Sequence, residues 1–164
     1  MSIYFRWGGA ALIMICALLI DREYKQYLTR RISENCGFLS LVSHAEAKIS
    51  KFLCHGDGLW RDFSDDALTK CGFLPALQSG ASVADSFEQC CNKTALSKEA
   101  KKLLSDSFKE WGKGYRDGEV AFLSSLKEKI ASLLDKEKTE AEKSKKITTA
   151  LLFGGALSIL IMAI

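Results

Sequence analysis

Six cysteines, two histidines and one pair of adjacent aspartates are the residues of this sequence best suited to chemistry. The cysteines stand at 16, 36, 54, 71, 90 and 91. No two have the C-x-x-C spacing of a zinc or thioredoxin-like site. Cys90 and Cys91 are neighbours, and on a helix their side chains would point about 100° apart, so they are poorly placed to bridge each other. They read as reduced thiols packed as small hydrophobes, with a redox-active vicinal pair as the contrasting reading. His55-Gly56-Asp57 falls in a turn, and His44 has Glu34 and Glu46 nearby but no third ligand at metal spacing. Asp65-Asp66 lies on a polar helix face and reads as surface. Gly112-Lys113-Gly114 lacks the following Ser or Thr, and the preceding strand, of a phosphate-binding loop. The expectation is a non-enzyme with no catalytic, cofactor-binding or metal-binding residues and no small-molecule substrate.

What the sequence does specify is a pattern of helices. One Pro and 12 Gly in 164 residues, with abundant Lys, Glu, Leu and Ala, point to an all-α fold. No run of alternating apolar and β-branched residues bounded by turn chemistry predicts a strand. The net charge of +3 is mild, and the basic residues are interleaved with acids rather than gathered into a stripe. Nucleic acid is therefore not an expected partner.

The two ends differ from the middle. No charged residue occurs from Trp7 to Ile20 or from Ile147 to Ile164. The second stretch, as a helix, covers about 27 Å of a hydrocarbon core about 30 Å thick. The first gains length if Arg6 snorkels to the headgroups, a level that also suits Tyr4 and Trp7. A cleaved signal peptide is the rival for this segment, but Ala17-Leu18-Leu19-Ile20 offers no small-x-small cleavage site. Both ends are thus expected to be transmembrane helices, 1–20 and 147–164, with the lipid bilayer as a partner. Arg22, Lys25, Arg30 and Arg31 follow the first, and Lys136, Lys138, Lys143, Lys145 and Lys146 precede the second, which predicts a cytoplasmic middle. Ala150, Gly154 and Ser158 form a stripe of small residues that lets another helix approach closely in lipid.

Between the ends the spacing predicts a helical bundle of about five to six helices over 21–134, then a charged, solvated helical stalk over 135–146. A first helix continues from Asp21 through Tyr24, Leu28, Ile32, Leu39 and Val42, with Gly37 a place for a bend or break. Cys54 to Gly58 is a turn. Leu59 to Cys71 reads as one helix burying Trp60, Phe63, Ala67 and Leu68, ended by Gly72. Phe73 to Leu77 makes a short helix with Pro75 near its start. Ser82 caps a helix burying Val83, Ala84, Phe87 and Cys91, and Ser97 caps one burying Ala100, Leu103, Leu104, Phe108 and Trp111. Gly112-Lys113-Gly114 breaks the chain before a long helix near Asp117, whose Val120, Leu123, Ile130 and Leu133 form a heptad-like seam.

Several of these stretches carry a resemblance. "SGASVADSFEQC" reads as a small capped helix. "LSKEAKKLLSDSFKEWGKGYRDGEVAFLSSLKEKI" reads as two helices joined by a Gly-x-Gly-x-x-Asp turn at Gly112 to Asp117. A charged stalk and "LLFGGALSILIMAI" follow. In this order, and with a short N-terminal anchor, the chain resembles the stage III sporulation protein AB family of endospore-forming bacteria. The resemblance is specific from about Ser79 to Ile164. It implies a non-enzymatic membrane platform subunit of the channel between mother cell and forespore, located in the mother-cell membrane. Because the family's helical domain is similar to the cytoplasmic domains of type II secretion and type IV pilus platform proteins, the implied partners are a cytoplasmic assembly ATPase and the other channel membrane proteins.

Overall fold

Every regular element among the described residues of the computed structural model is helical. The description covers residues 2–52 and 56–163, with the side chains of 2–8, 10, 52, 56–57, 116 and 159–163 outside it. Six α-helices follow in order: α1 (Ser2–Phe52), α2 (Asp66–Lys70), α3 (Phe73–Gln78), α4 (Val83–Cys90), α5 (Lys98–Glu110) and α6 (Arg116–Ala163). Short 3-10 turns cover Gly56–Leu59 and Cys91–Lys93. The expected all-α helical bundle is thus observed. The chain forms two compact units. A terminal unit joins Met1–Thr29 to Lys138–Ile164, and a central unit holds Arg30–Glu137.

The central unit is closed by four phenylalanines. Phe38 of α1 meets Phe73 of α3 at 5.1 Å between ring centres, Phe87 of α4 at 5.6 Å and Phe108 of α5 at 5.9 Å. Edge-to-face geometry in two of these contacts sets the positive rim of one ring against the negative face of the next. Around them pack Leu41, Val42, Ala45 and Ile49 from α1 and Leu123, Leu126, Ile130 and Leu133 from α6. The inward stripe of α1, Phe38-Val42-Ala45-Ile49, has the three-four spacing that a helix needs to keep one face on a neighbour. Of the expected stripe, Leu28 and Val42 are buried but Leu39 is only half-buried, its place at the core being taken by Phe38.

Caps define the short helices. Ser82 Oγ accepts from Asp85 N–H at 3.1 Å and donates to its carboxylate at 2.7 Å. Ser97 Oγ accepts from Ala100 N–H at 3.1 Å. Gly72 and Gly112 lie at φ +89° and +81°, where a side chain is strained, and each ends or precedes a helix as its spacing predicts. Leu59 to Cys71 differs from expectation. Asp65 Oδ1 accepts from Leu68 N–H at 2.9 Å, so the helix starts only at Asp66. Trp60 and Phe63 are buried from a turn instead. Cys90, rather than Cys91, faces inward from α4. Cys54 and His55 lie outside the described residues.

α1 runs unbroken past Gly37. The glycine serves a close approach: a Cβ there would lie 2.8 Å from Asp65 Oδ1 and 2.9 Å from Leu68 Cγ. Three buried carboxylates pin the remaining joints. Glu34 of α1 accepts from Arg30 Nε at 2.8 Å and from Ala95 N–H at 2.6 Å, and Arg30 also donates to Lys93 O at 2.6 Å. Glu119 of α6 accepts from Gly112 N–H at 2.9 Å. Glu137 of α6 accepts from Arg31 at 2.7 Å and from Asn35 Nδ2 at 2.6 Å. The expectation of a fully solvated 135–146 therefore fails at Glu137 and Ala141, which are buried.

Two substitutions test this packing, read by urea unfolding of the full chain in detergent with far-UV circular dichroism. Gly37→Ala gains about 1 kcal/mol of helix propensity but overpacks against Asp65 and Leu68, so a net loss of about 1–2 kcal/mol is expected. Glu137→Ala removes the buried carboxylate that Asn35 and Arg31 both donate to and should cost about 3 kcal/mol. A stabilised Gly37→Ala, or a neutral Glu137→Ala, would contradict these roles.

Candidate functional site

The terminal unit has the surface least like that of an ordinary water-facing helix pair. Ala17 of α1 and Ala141 and Ala156 of α6 are its buried alanines, and Met14, Tyr24, Ser144 and Thr149 are half-buried. Small residues on facing sides let two helices approach closely. The polar contacts fix direction. Thr149 Oγ1 donates to Asp21 Oδ1 at 2.9 Å, and Tyr24 and Ser144 hydroxyls meet at 2.6 Å. As numbering rises on α1 it falls on α6, so the pair is antiparallel.

Leu28 is buried, and Met14, Leu152 and Phe153 are half-buried, but most of the large apolar side chains are exposed. Leu12, Ile15, Leu18, Leu19 and Ile20 on α1, and Ile147, Leu151 and Leu157 on α6, are all more than half exposed. Exposed apolar patches of this extent mark a surface that something covers. Among the described residues no helix is long and apolar enough to cross a membrane. The two terminal spans expected from the sequence, 1–20 and 147–164, thus remain without support there.

The small-residue stripe is placed distinctly. Ala150, Gly154 and Ser158 are exposed, and Ser158 Oγ donates back to Gly154 O at 2.9 Å. A Cβ on Gly154 would meet nothing within 4 Å. Ala156 beside them is the residue that packs inward.

At the edge of the apolar surface sits Asp21, whose Oδ2 accepts from Lys25 Nζ at 2.6 Å. That hydrogen bond, helped by Thr149, holds the carboxyl below its ordinary 3.8. A lowered carboxyl favours the paired state above the ordinary value and loses that contribution as pH falls through the lowered one. Its stabilisation is therefore complete at neutral pH.

The residues first considered for chemistry are scattered. His44 Nε2 lies 3.2 Å from Leu59 O and its ring packs 5.2 Å from Phe63. Glu34 and Glu46, its neighbours in sequence, are engaged by Ala95 and Arg30 and by Lys127. Asp65 is a helix cap. Among the described residues no three His, Cys, Asp or Glu side chains could hold a metal ion. Cys71 and Cys90 are both buried, and their S–H groups donate to Leu68 O at 3.3 Å and Phe87 O at 3.4 Å. The neighbouring Cys90 thiol brings Cys71 down to about 7, and Cys71 together with burial pushes Cys90 up. Asp62, on the surface, is lowered by its bond to Lys48. Among the described residues of the central unit, Cys36 is the exposed thiol.

Sequence reasoning missed Arg31, Asn35 and Glu137 as a set because they lie far apart in the chain. It also missed Glu119, and Tyr115, which stands 95% exposed in the turn before α6. Comparison with family models, with curated proteins and with solved structures returns no match for this chain.

The inward role of Ala156 and the outward role of Gly154 give opposite expectations. Ala156→Phe should lower the melting temperature of the full chain in detergent by several degrees, the signature of about 1–3 kcal/mol of overpacking. Gly154→Leu should leave it unchanged or raise it. The reverse order would mean that the stripe, not Ala156, packs within the chain.

Proposed function

We propose that this protein is a non-enzymatic, membrane-anchored helical platform. In this reading the terminal unit is held in a lipid bilayer and the central unit is presented in the cytoplasm. The observation that carries it is the ring of exposed leucines and isoleucines on both helices of the terminal unit. Lipid tails cover such a surface at no cost, whereas water does not. The charge flanks of the two ends supply the sidedness.

The finer reading rests on the resemblance to the stage III sporulation protein AB family, carried by the residues from Ser79 to Ile164. In it the platform belongs to the mother cell–forespore channel, sits in the mother-cell membrane and docks a cytoplasmic assembly ATPase beside the other channel membrane proteins. The six helices and the Gly112 to Asp117 turn between α5 and α6 are compatible with that layout. A membrane-tethered helical scaffold outside sporulation shares the same observations and is separated from it by phenotype.

Deleting the gene in an endospore-forming host should abolish heat-resistant spores. The intact gene should restore them, and a copy lacking 147–164 should not. Normal spore counts in the deletion would leave the scaffold reading in place of the channel. In the same strain, an impermeant maleimide should label Cys36 only after permeabilisation, in a variant where it is the sole cysteine.

A further inference from the structure

The antiparallel register of the terminal unit brings cations from both helices to one level. Asp21 pairs with Thr149 and Tyr24 with Ser144. At about 1.5 Å of rise per residue, Arg22 on α1 therefore lies within one helical turn, along the axis, of Lys145 and Lys146 on α6. Arg22 and Lys146 are exposed and Lys145 is half-buried. Lys25, one turn on, is occupied by Asp21. No described residue forms an ion pair with Arg22, Lys145 or Lys146. Glu23 is the exposed acid at this level; Glu142 lies one helical turn from Lys145 and Lys146 with Lys143 beside it, and Glu140 lies farther along α6 near Lys138.

Immediately past these cations the exposed surface turns apolar: Ile20, Leu19 and Leu18 on one helix, Ile147 and Leu151 on the other. A band of unpaired cations bordering an apolar face has the chemistry of one ligand, an anionic headgroup attached to acyl chains. The long stems of Arg and Lys lie along the apolar surface while their charged ends reach outward.

We infer that Arg22, Lys145 and Lys146 form a binding band for anionic phospholipid headgroups. The inference rests on the reading that the terminal unit enters a bilayer, and it adds a preference among lipids which that reading does not require. The two lysines act as point charges and the Arg22 guanidinium as a fork toward phosphate oxygens, so the preference is for the anionic phosphate rather than for the rest of the headgroup. It weakens as salt screens the surface.

The test uses the full chain reconstituted in phosphatidylcholine vesicles with trace spin-labelled lipid. Electron paramagnetic resonance reads the fraction of label immobilised on the protein. Labelled phosphatidylglycerol should be immobilised several-fold more than labelled phosphatidylcholine at low ionic strength, with roughly fivefold per cation as the upper scale. The excess should vanish at high salt. The R22Q/K145Q/K146Q variant should bring the two lipids level while leaving the phosphatidylcholine fraction as it was. Inorganic phosphate added at constant ionic strength should not change the ratio. Equal immobilisation of the two lipids by the unaltered chain overturns the inference and leaves the bilayer reading standing. Displacement by inorganic phosphate overturns the headgroup assignment in favour of a discrete phosphate site. Immobilisation of neither lipid overturns the bilayer reading and this inference together.

Discussion

A carboxylate removed from water must find hydrogen bonds for its oxygens, or the fold that buries it is destabilised by several kcal/mol. The central unit buries three. Glu137 is held by Arg31 and Asn35, Glu34 by Arg30 and the Ala95 amide, and Glu119 by the Gly112 amide. Each therefore fixes a joint that apolar packing alone would leave free to slide. Glu137 sets the register of α6 on α1, Glu34 ties the α4–α5 connection to α1, and Glu119 ties the turn before α6 to its first residues. The phenylalanine cluster supplies most of the burial, but it is non-directional. The carboxylates make the arrangement specific.

The terminal unit uses the same antiparallel pairing with different surroundings. Its seam is made largely of small residues and two hydroxyl-bearing contacts, and most of its leucines and isoleucines face out. In water such a distribution is inside-out. In lipid it needs no explanation, because tails solvate leucine as well as another leucine does. A close-packed seam of small residues with two hydroxyl contacts and an exterior of exposed leucines and isoleucines, joined in sequence to a central unit with a buried apolar core, is the physical basis for proposing a platform held at a bilayer.

Much of the fold was legible because helix signals are local. Ser82, Ser97, Gly72 and Gly112 act where their chemistry requires, and the seam Leu123-Ile130-Leu133 is buried as its spacing implies. The misreadings arose where a distant contact outweighed a local tendency. Gly37 looks like a break, yet its missing side chain admits Asp65 and Leu68 while the helix continues. Glu137 sits in an almost wholly charged stretch, and nothing nearby in sequence marks it as buried; Arg31 and Asn35 lie about a hundred residues away. Leu59 to Cys71 has helical periodicity, but Asp65 caps a later start. The small-residue stripe was legible as a feature, though not that it faces outward while Ala156 packs within the chain.

The central claim is that lipid covers the outer faces of the terminal unit. Spin labels placed singly at Leu12, Leu18 and Leu151 in the full chain, reconstituted in vesicles, report it through collision with oxygen, which concentrates in lipid, and with a water-soluble nickel chelate. The account predicts high oxygen and low nickel accessibility at all three positions, with the opposite balance at Thr139, which is exposed among charged residues. Water-like accessibility at Leu12, Leu18 and Leu151 would contradict it.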